Sequence, residues 1–389
     1  MGNLDISENS TRLKGSRPSP KKTILATESW SVRDLRFMDM AFDEARKVKG
    51  QTRPNPPVGA VLVKAGKVIA VGGSQLAGQA HAEIVALQKA GTTARGSTLY
   101  VTLEPCCHYG KTPPCTLAVI AAGVREVVIS AKDENPLVGG RGIKALRKAG
   151  IQVRIGIRLD VGEAFYRGFF FYIAQGRPLI LLKIAQSLDG KVNAGPGLET
   201  SITGEETRAW VHALRSHVDA VLVGGNTVRI DDPDLTPRLI SGAIPDALIL
   251  NGERSLPSKA KLFSKSRKPK TVVLTESSAE LPMGVSRVEL PSSSPKQRDA
   301  RTIAALLALF KERGYHSVLV EGGPKIWALF LKAGLWDSLY IVTAPIVLSQ
   351  GEAWEVNLPR DWGNSLKFRN FASFGKDFMT DFGNSKIHG

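Results

Sequence analysis

EPCCHYGKTPPC, residues 104–115, stands one predicted strand downstream of HAE, residues 81–83. It contains all three cysteines of the chain, Cys106, Cys107 and Cys115. Three thiols inside ten residues exclude a distributed disulfide framework and point to a local thiolate cluster. With His81 at a predicted helix start and Cys106 and Cys115 around the next one, the pattern offers three ligands to a tetrahedral Zn²⁺ and leaves the fourth position to water. A closed site taking Cys107 or His108 as fourth ligand, or a thiol cluster without metal, are the alternatives. Cys107 follows Cys106 directly, so its side chain points elsewhere and reads as a packing thiol. Glu83, two residues after His81, is placed to shuttle protons without ligating. Zinc lowers the pKa of bound water toward about 7, and a carboxylate beside it can protonate a ring nitrogen and then a departing amine. The prolines at 113–114 open a helix whose N-terminus favours thiolate over thiol.

Working outward, apolar residues recur at helical spacing from Asp34 to Lys49, and VGAVLV (58–63) with KVIAVG (67–72) reads as a hairpin closed by Ala65-Gly66. A helix at 81–90, strand 98–103, helix 113–123, strand 125–130, helix 142–149 and strand 151–157 complete an α/β/α layering. AFYRGFFFYIAQ reads as a buried helix from 164, ending at Gly176, where a boundary is expected. Downstream, strands at 179–185, 220–225, 247–250, 271–275, 317–323 and 338–347 alternate with helices at 205–216, 299–312 and 325–333. That order implies a largely parallel sheet covered on both faces, with an antiparallel hairpin around Gly375-Lys376 at the end. The stretches 254–270 and 291–297 read as surface connections. The expected organisation is a polar tail (1–30), a zinc deaminase-type α/β/α domain (31–176) and a second α/β domain (177–389).

At 389 residues, 43% hydrophobic and 23% charged, the chain has length for two cores and excludes collagen-like, coiled-coil or wholly disordered classes. The net charge is +16; residues 1–176 hold 25 basic and 14 acidic side chains, and no run of five or more Lys/Arg marks a nucleic-acid arm. The surplus fits capture of small phosphorylated ligands, with an ordinary solvated surface or a deaminase-like nucleic-acid-binding protein as the alternatives. No apolar stretch suits a secretory signal or a membrane span, and Asp5, Glu8 and Glu28 argue against an organellar transit segment without removing it. A cytoplasmic protein is expected.

In the distal half, polar signals fall at strand ends: KIAQSLDG (183–190), GGNTVRIDDP (224–233) and EGGP (321–324). Paired glycines let backbone amides approach phosphate, but no G-x-G-x-x-G appears, so a Rossmann domain is not expected. Asn55, between prolines, sits on a stiff turn and can offer donor and acceptor to a heterocycle edge.

Together, TRPNPPVGA (52–60), HAE (81–83) and PCCHYGKTPPC (105–115) resemble the bifunctional RibD family of riboflavin biosynthesis, in which a cytidine-deaminase-like domain precedes a dihydrofolate-reductase-like domain. The resemblance covers about residues 34–375. It implies zinc on His81, Cys106 and Cys115, Glu83 as proton shuttle, and deamination of 2,5-diamino-6-(5-phosphoribosylamino)pyrimidin-4(3H)-one. The general zinc-deaminase signature is PCxxC, whereas eight residues separate Cys106 from Cys115 here, which sets the chain apart from tRNA and nucleotide deaminases. The longer loop carries Lys111, a phosphate ligand or an ordinary surface lysine, and His108, a substrate contact or a loop histidine.

Leu182-Lys183, SLDG, ITG, GGNTVRIDDP and VEGG resemble the NADPH-dependent reductase half, which converts the phosphoribosyl group to ribityl. By position, the family's dinucleotide contacts fall on Ala185, Ser201, Thr227, Asp231 and the segment from Gly323. Its substrate contacts fall on Glu199, Arg215, Leu235, Arg238 and Glu321, with Lys183 a further polar group near the reacting carbon. Where the family has G-x-S-x-W-I-T, this chain has GLETSIT (197–203): Glu199 adds an anion and Ser201 removes a flat surface, so the reductase is either working, weakened or lost. The partners implied are a phosphorylated pyrimidine and further copies of the chain in a homo-oligomer, without nucleic acid or membrane.

Overall fold

The computed structural model describes residues 30–195, 197–239, 242–264, 270–276, 281–290, 295–353 and 362–385. Residues 1–29 of the expected tail lie outside these. Trp30, its last residue, is placed: the Arg154 guanidinium lies 4.9 Å from the centre of its ring.

Helix α1 (Val32–Val48) begins at a reciprocal cap in which Ser31 Oγ accepts the Asp34 N–H at 3.1 Å and the Asp34 carboxylate accepts the Ser31 N–H at 3.2 Å. Strands β1 (Gly59–Lys64) and β2 (Lys67–Gly73) form the expected hairpin, and Ala65 and Gly66 both take positive φ, 50° and 73°, as a two-residue turn between twisted strands requires. Helix α2 (Ala82–Ala90), β3 (Thr98–Leu103), α3 (Cys115–Ala121), β4 (Glu126–Ala131), α4 (Arg141–Lys148) and β5 (Gln152–Ile155) follow. The sheet order is β2-β1-β3-β4-β5, parallel from β3 onward, with β1 antiparallel to both its neighbours. Alternate strand residues divide the core. Leu62, Leu99, Val101 and Ile129 meet α2 to α4, while Val61, Tyr100 and Val128 meet α1 and α5 (Leu159–Gln175). Helix α3 starts at Cys115 rather than 113, since Pro114 caps it in an extended conformation. Helix α5 starts five residues earlier than the aromatic run indicates, at Leu159, its first turn LDVG carrying no aromatic residue.

Helix α5 ends at a left-handed Gly176, and the chain enters a second sheet at β6 (Leu179–Ser187). Gly168 lets α5 lie against that sheet, because a Cβ there would stand 3.1 Å from the His316 carbonyl oxygen. The remaining elements are α6 (Glu205–Ser216), β7 (Ala220–Gly224), α7 (Gly225–Asp231), β8 (Asp246–Leu250), β9 (Thr271–Thr275), β10 (Val285–Glu289), α8 (Pro295–Glu312), β11 (Ser317–Val320), α9 (Pro324–Lys332), β12 (Ser338–Ala344), β13 (Leu366–Phe374) and β14 (Asp377–Asn384). The order is β10-β9-β8-β7-β11-β6-β12-β14-β13, parallel as far as β12 and antiparallel through the terminal hairpin. One face packs on α8 and α9 through Leu306, Phe310 and Phe330. The other face meets Val228 of α7 and a loop carrying Leu262 and Phe263. Those two buried residues correct the reading of 254–270 as surface connection throughout. Residues 291–294 lie outside the described set, and α8 starts at Pro295, four residues before the expected 299.

Candidate functional site

The antiparallel pairing of β1 with β3 brings the start of β1 to the edge where β3 ends. Val58 is tied to Ser74 there by reciprocal hydrogen bonds, so the turn at 52–57, the segment leading to His81 and the loop from Glu104 converge on one rim. His81 caps α2 and Cys115 begins α3. The His81 Nδ1 lies 3.2 Å from Cys115 Sγ and 3.6 Å from Cys106 Sγ, and the donor atoms of the three residues all lie within 4.8 Å of one another. Tetrahedral Zn²⁺ with bonds of about 2.3 Å to sulfur and 2.0–2.1 Å to nitrogen separates its ligand atoms by roughly 3.5–3.8 Å, so the donor set fits that ion. Among the described residues this is the one such group. Cys107 turns away, its Sγ 3.8 Å from the Leu137 carbonyl oxygen, and His108 stands outside the group.

The polarity of the cluster follows from its hydrogen bonds. Cys106 Sγ accepts the Cys115 N–H at 3.3 Å, and side-chain hydrogen bonding with Cys115, then with His81, holds the Cys106 thiol well below the ordinary thiol range. The same side-chain bonding between the cysteines, with burial, pushes the Cys115 thiol up. Glu83 is 3% exposed, and burial followed by the Cys106 charge pushes its carboxyl up to about 7.

A buried carboxylate the sequence did not single out fixes the cysteine loop. Glu104 accepts the N–H groups of Gly140 at 2.9 Å, Ile143 at 3.1 Å and Asp133 at 3.4 Å, tying the end of β3 to the first turn of α4. Asp133 was also missed. Burial pushes its carboxyl up to about 6 against the Asn135 N–H it accepts at 2.8 Å, and the charges of His108 and Cys106 act on it. The available signal was a polar run, Asp133 to Asn135, at the end of the strand beside the one carrying the cysteines. His108 Nδ1 is buried without a hydrogen-bond partner among the described residues, and Lys111 is exposed at the rim beside Gly78. Asn55 is half-buried and its side-chain amide makes no hydrogen bond among the described residues.

In the second sheet, register pairs Leu182 with Val320 and Val320 with Leu222, so Lys183 and Glu321 stand side by side just past the end of β11, on the side toward which the parallel strands run. Ligands of open α/β sheets gather at that edge. Arg215, on α6, donates from Nε and Nη2 to the two Glu321 oxygens at 2.6 and 2.9 Å. Burial works to raise the Glu321 carboxyl, but Arg215, helped by Lys183, outweighs it and holds the group below its usual range. Burial lowers the Lys183 ammonium against the attraction of Glu321. His212, one turn before Arg215, was not foreseen. It is buried, with Nδ1 unpartnered among the described residues, and burial, Arg215 and Arg238 keep its imidazole pKa low.

Ala185 lies two residues beyond Lys183 on β6, Thr227 is on α7 and Gly323 caps α9. Asp231, at the end of α7, is raised by burial and then by the charge of Glu199, which lies within electrostatic reach of it. Ser201 is exposed and accepts from Arg208 at 3.2 Å. Leu235 is 1% exposed, with its side chain in the core and φ at +57°, which leaves only its main chain for a ligand.

A family model described as the cytidine and deoxycytidylate deaminase zinc-binding region matches residues 31–131, and one described as the RibD C-terminal domain matches residues 178–379. The chain is thus a zinc-dependent deaminase joined to an NADPH-dependent reductase. It is 42% identical over 352 residues to the riboflavin biosynthesis protein RibD of Aquifex aeolicus (strain VF5), covering 90% of this chain and 98% of that one. With RibD of Escherichia coli (strain K12) it shares 35% over 342 residues, 84% and 92% of the two chains. Two solved structures align along its length. Acinetobacter baumannii RibD has TM-score 0.68 and 33% identity, covering 91% and 99%. The diaminohydroxyphosphoribosylaminopyrimidine deaminase/5-amino-6-(5-phosphoribosylamino)uracil reductase from Thermotoga maritima has TM-score 0.69 and 35% identity, covering 90% and 98%. The chain belongs to the RibD family of bifunctional riboflavin biosynthesis enzymes.

Proposed function

We propose that residues 31–176 deaminate 2,5-diamino-6-(5-phosphoribosylamino)pyrimidin-4(3H)-one and that residues 177–389 reduce the ribosyl group of the resulting 5-amino-6-(5-phosphoribosylamino)uracil to ribityl. The observation that carries the first step is the His81, Cys106, Cys115 donor set with a buried Glu83 beside it and outside it. Zinc, when bound by those three side chains, supplies the Lewis acidity that makes water a nucleophile near neutral pH. Glu83 takes the water proton and passes it to the ring nitrogen next to the carbon under attack. It later protonates the leaving amino group, so that a C–O bond replaces a C–N bond and ammonia departs. Asn55 and His108 orient the heterocycle, and Lys111 meets its phosphate.

For the second step NADPH would be held by Ala185, Ser201, Thr227, Asp231 and the Gly323 segment, and when bound would supply a hydride. The ring-opened sugar presents an imine at C1′: hydride forms the new C–H bond and the imine nitrogen takes a proton. A buried Lys183 with a lowered pKa is suited to give that proton. The Arg215–Glu321 pair keeps it oriented, while Arg238, Glu199 and the main chain at Leu235 contact the substrate. The ligands are small molecules, not nucleic acid. Among the described residues no helix is long and apolar enough to cross a membrane, and we place the enzyme in the cytoplasm as a homo-oligomer.

The test combines ammonia release with elemental analysis. Glu83→Gln keeps zinc and loses at least about 10²-fold in turnover, the contribution of a positioned acid–base group. Cys115→Ser loses both zinc and turnover, and Cys107→Ser keeps both. Full turnover in Glu83→Gln would overturn the assignment of the shuttle. Absence of NADPH oxidation by the native enzyme on the deaminated product would overturn the second step.

A further inference from the structure

The turn that carries Asn55 is held from outside its own sheet. His316, immediately before β11, lies with Nε2 2.8 Å from the Pro54 carbonyl oxygen; a carbonyl only accepts, so Nε2 carries the proton. One residue earlier in sequence than Pro54, Arg53 donates from Nη2 to Asp246 Oδ2 at 3.0 Å, and its guanidinium lies 4.8 Å from the centre of the Tyr315 ring. The Tyr315 hydroxyl donates to the same Asp246 oxygen at 2.9 Å. Gly314 completes the contact. It has φ +62°, and a Cβ added to it would stand 3.0 Å from Pro54 Cβ and 3.1 Å from Pro54 Cα.

On the opposite side the turn is tied to its own domain, since Thr52 Oγ1 donates to the Asn55 carbonyl at 2.9 Å and the Tyr166 hydroxyl donates to that of Pro57 at 2.9 Å. Carbonyls on either side of Asn55 are therefore fixed by different halves of the molecule, while the Asn55 side-chain amide makes no hydrogen bond among the described residues.

We infer that His316 and Gly314, in the reductase half, are positioning residues for deamination, holding the 52–57 turn so that Asn55 faces the pyrimidine. The inference rests on the assignment of Asn55 as a substrate contact. His316, Gly314 and Asp246 lie at the starting ends of β11 and β8, whereas Lys183 and Glu321 lie at the opposite edge of the same sheet. A strand of four or five residues spans roughly 13–17 Å. Loosening the turn therefore acts on the distant deaminase site and leaves the reductase site of its own sheet in place.

The full-length enzyme is assayed for both reactions in one preparation, with zinc content measured alongside. His316→Ala raises the deaminase KM for the phosphorylated diaminopyrimidine about fivefold, the factor expected from one lost buried hydrogen bond, with kcat, zinc content and reductase kcat/KM unchanged. His316→Gln, which restores an N–H donor, brings KM back toward the native value. Gly314→Ala, acting by steric push on Pro54, raises the same KM. An unchanged deaminase KM in both His316→Ala and Gly314→Ala overturns the proposal, as does a parallel fall in both activities. Asn55→Ala separates the two levels. If it leaves the deaminase KM unaltered, the substrate contact itself is wrong; if it raises KM while neither His316→Ala nor Gly314→Ala does, only the positioning role fails.

Discussion

Arg215→Ala strands a carboxylate. In the native structure both oxygens of Glu321 are engaged by Arg215, and the two side chains are only 13% and 8% exposed. Removing one partner of a buried pair costs about 3–5 kcal/mol, mostly because the other charge stays desolvated. Lys183, already drawn toward Glu321, remains as a weaker counter-ion, so about 3 kcal/mol is expected. The pH dependence has a definite sign. Native Glu321 lies below its ordinary 4.5, so its contribution is complete above that value and is lost only as pH falls further. Without Arg215 burial dominates and the folded-state carboxyl rises above 4.5. The penalty is then full at alkaline pH and shrinks as the folded protein takes up a proton on acidification. The stability gap between native and variant is therefore larger at about pH 8 than at about pH 5. Urea unfolding followed by tryptophan fluorescence reads it, because Trp210, Trp327, Trp336, Trp354 and Trp362 lie in the second half and only Trp30 in the first. Glu321→Gln added to Arg215→Ala removes the stranded charge and with it the pH dependence. A gap below about 1 kcal/mol, or one equal at both pH values, refutes the reasoning.

Two other substitutions probe the sites by different physics. Gly142→Ala places a methyl 2.2 Å from the Pro105 carbonyl oxygen, next to the cysteine loop. It should destabilise the protein by about 1–3 kcal/mol and lower zinc content; a native melting curve with native zinc would contradict the packing account. Glu199→Gln removes the like charge within electrostatic reach of Asp231. The KM for NADPH should fall about two- to fivefold at low salt, with the gain fading as ionic strength rises, and an unchanged KM would mean that the Glu199 charge, on the substrate side, does not reach the cofactor held beside Asp231.

The parts legible in the sequence were those encoded locally. Each of the residues His81, Glu83, Cys106 and Cys115 sits beside a helix start or strand end that short-range pattern reveals, and the hairpin at Ala65-Gly66 is written in two residues. Alternating apolar runs located most of the strands. Helix α7 was missed because GGNTVRID carries two glycines and a weak apolar stripe, and it is Val228 packing on the second sheet that sustains it. Strand β10 was missed because VSRVE is a half-buried edge strand without a clear inward face. The Arg215–Glu321 pair and the Asp246–Arg53 contact join residues 106 and 193 positions apart, a separation no window of pattern spans. Glu104 and His212 were overlooked for a related reason. Their partners come from other elements, so only the assembled sheet shows what a buried acid or imidazole is for.

Helix α5 has one face in the first core and the other, through Phe169, Gly168 and Tyr172, against His316 and Ser317. During synthesis that second face is made long before its cover: about 140 residues separate the end of α5 from β11, which at about 5–20 residues per second is roughly 7–30 s on the ribosome. A nascent chain in this interval presents a completed first sheet with an uncovered aromatic strip, a natural holding point for a chaperone and a hazard for truncated products.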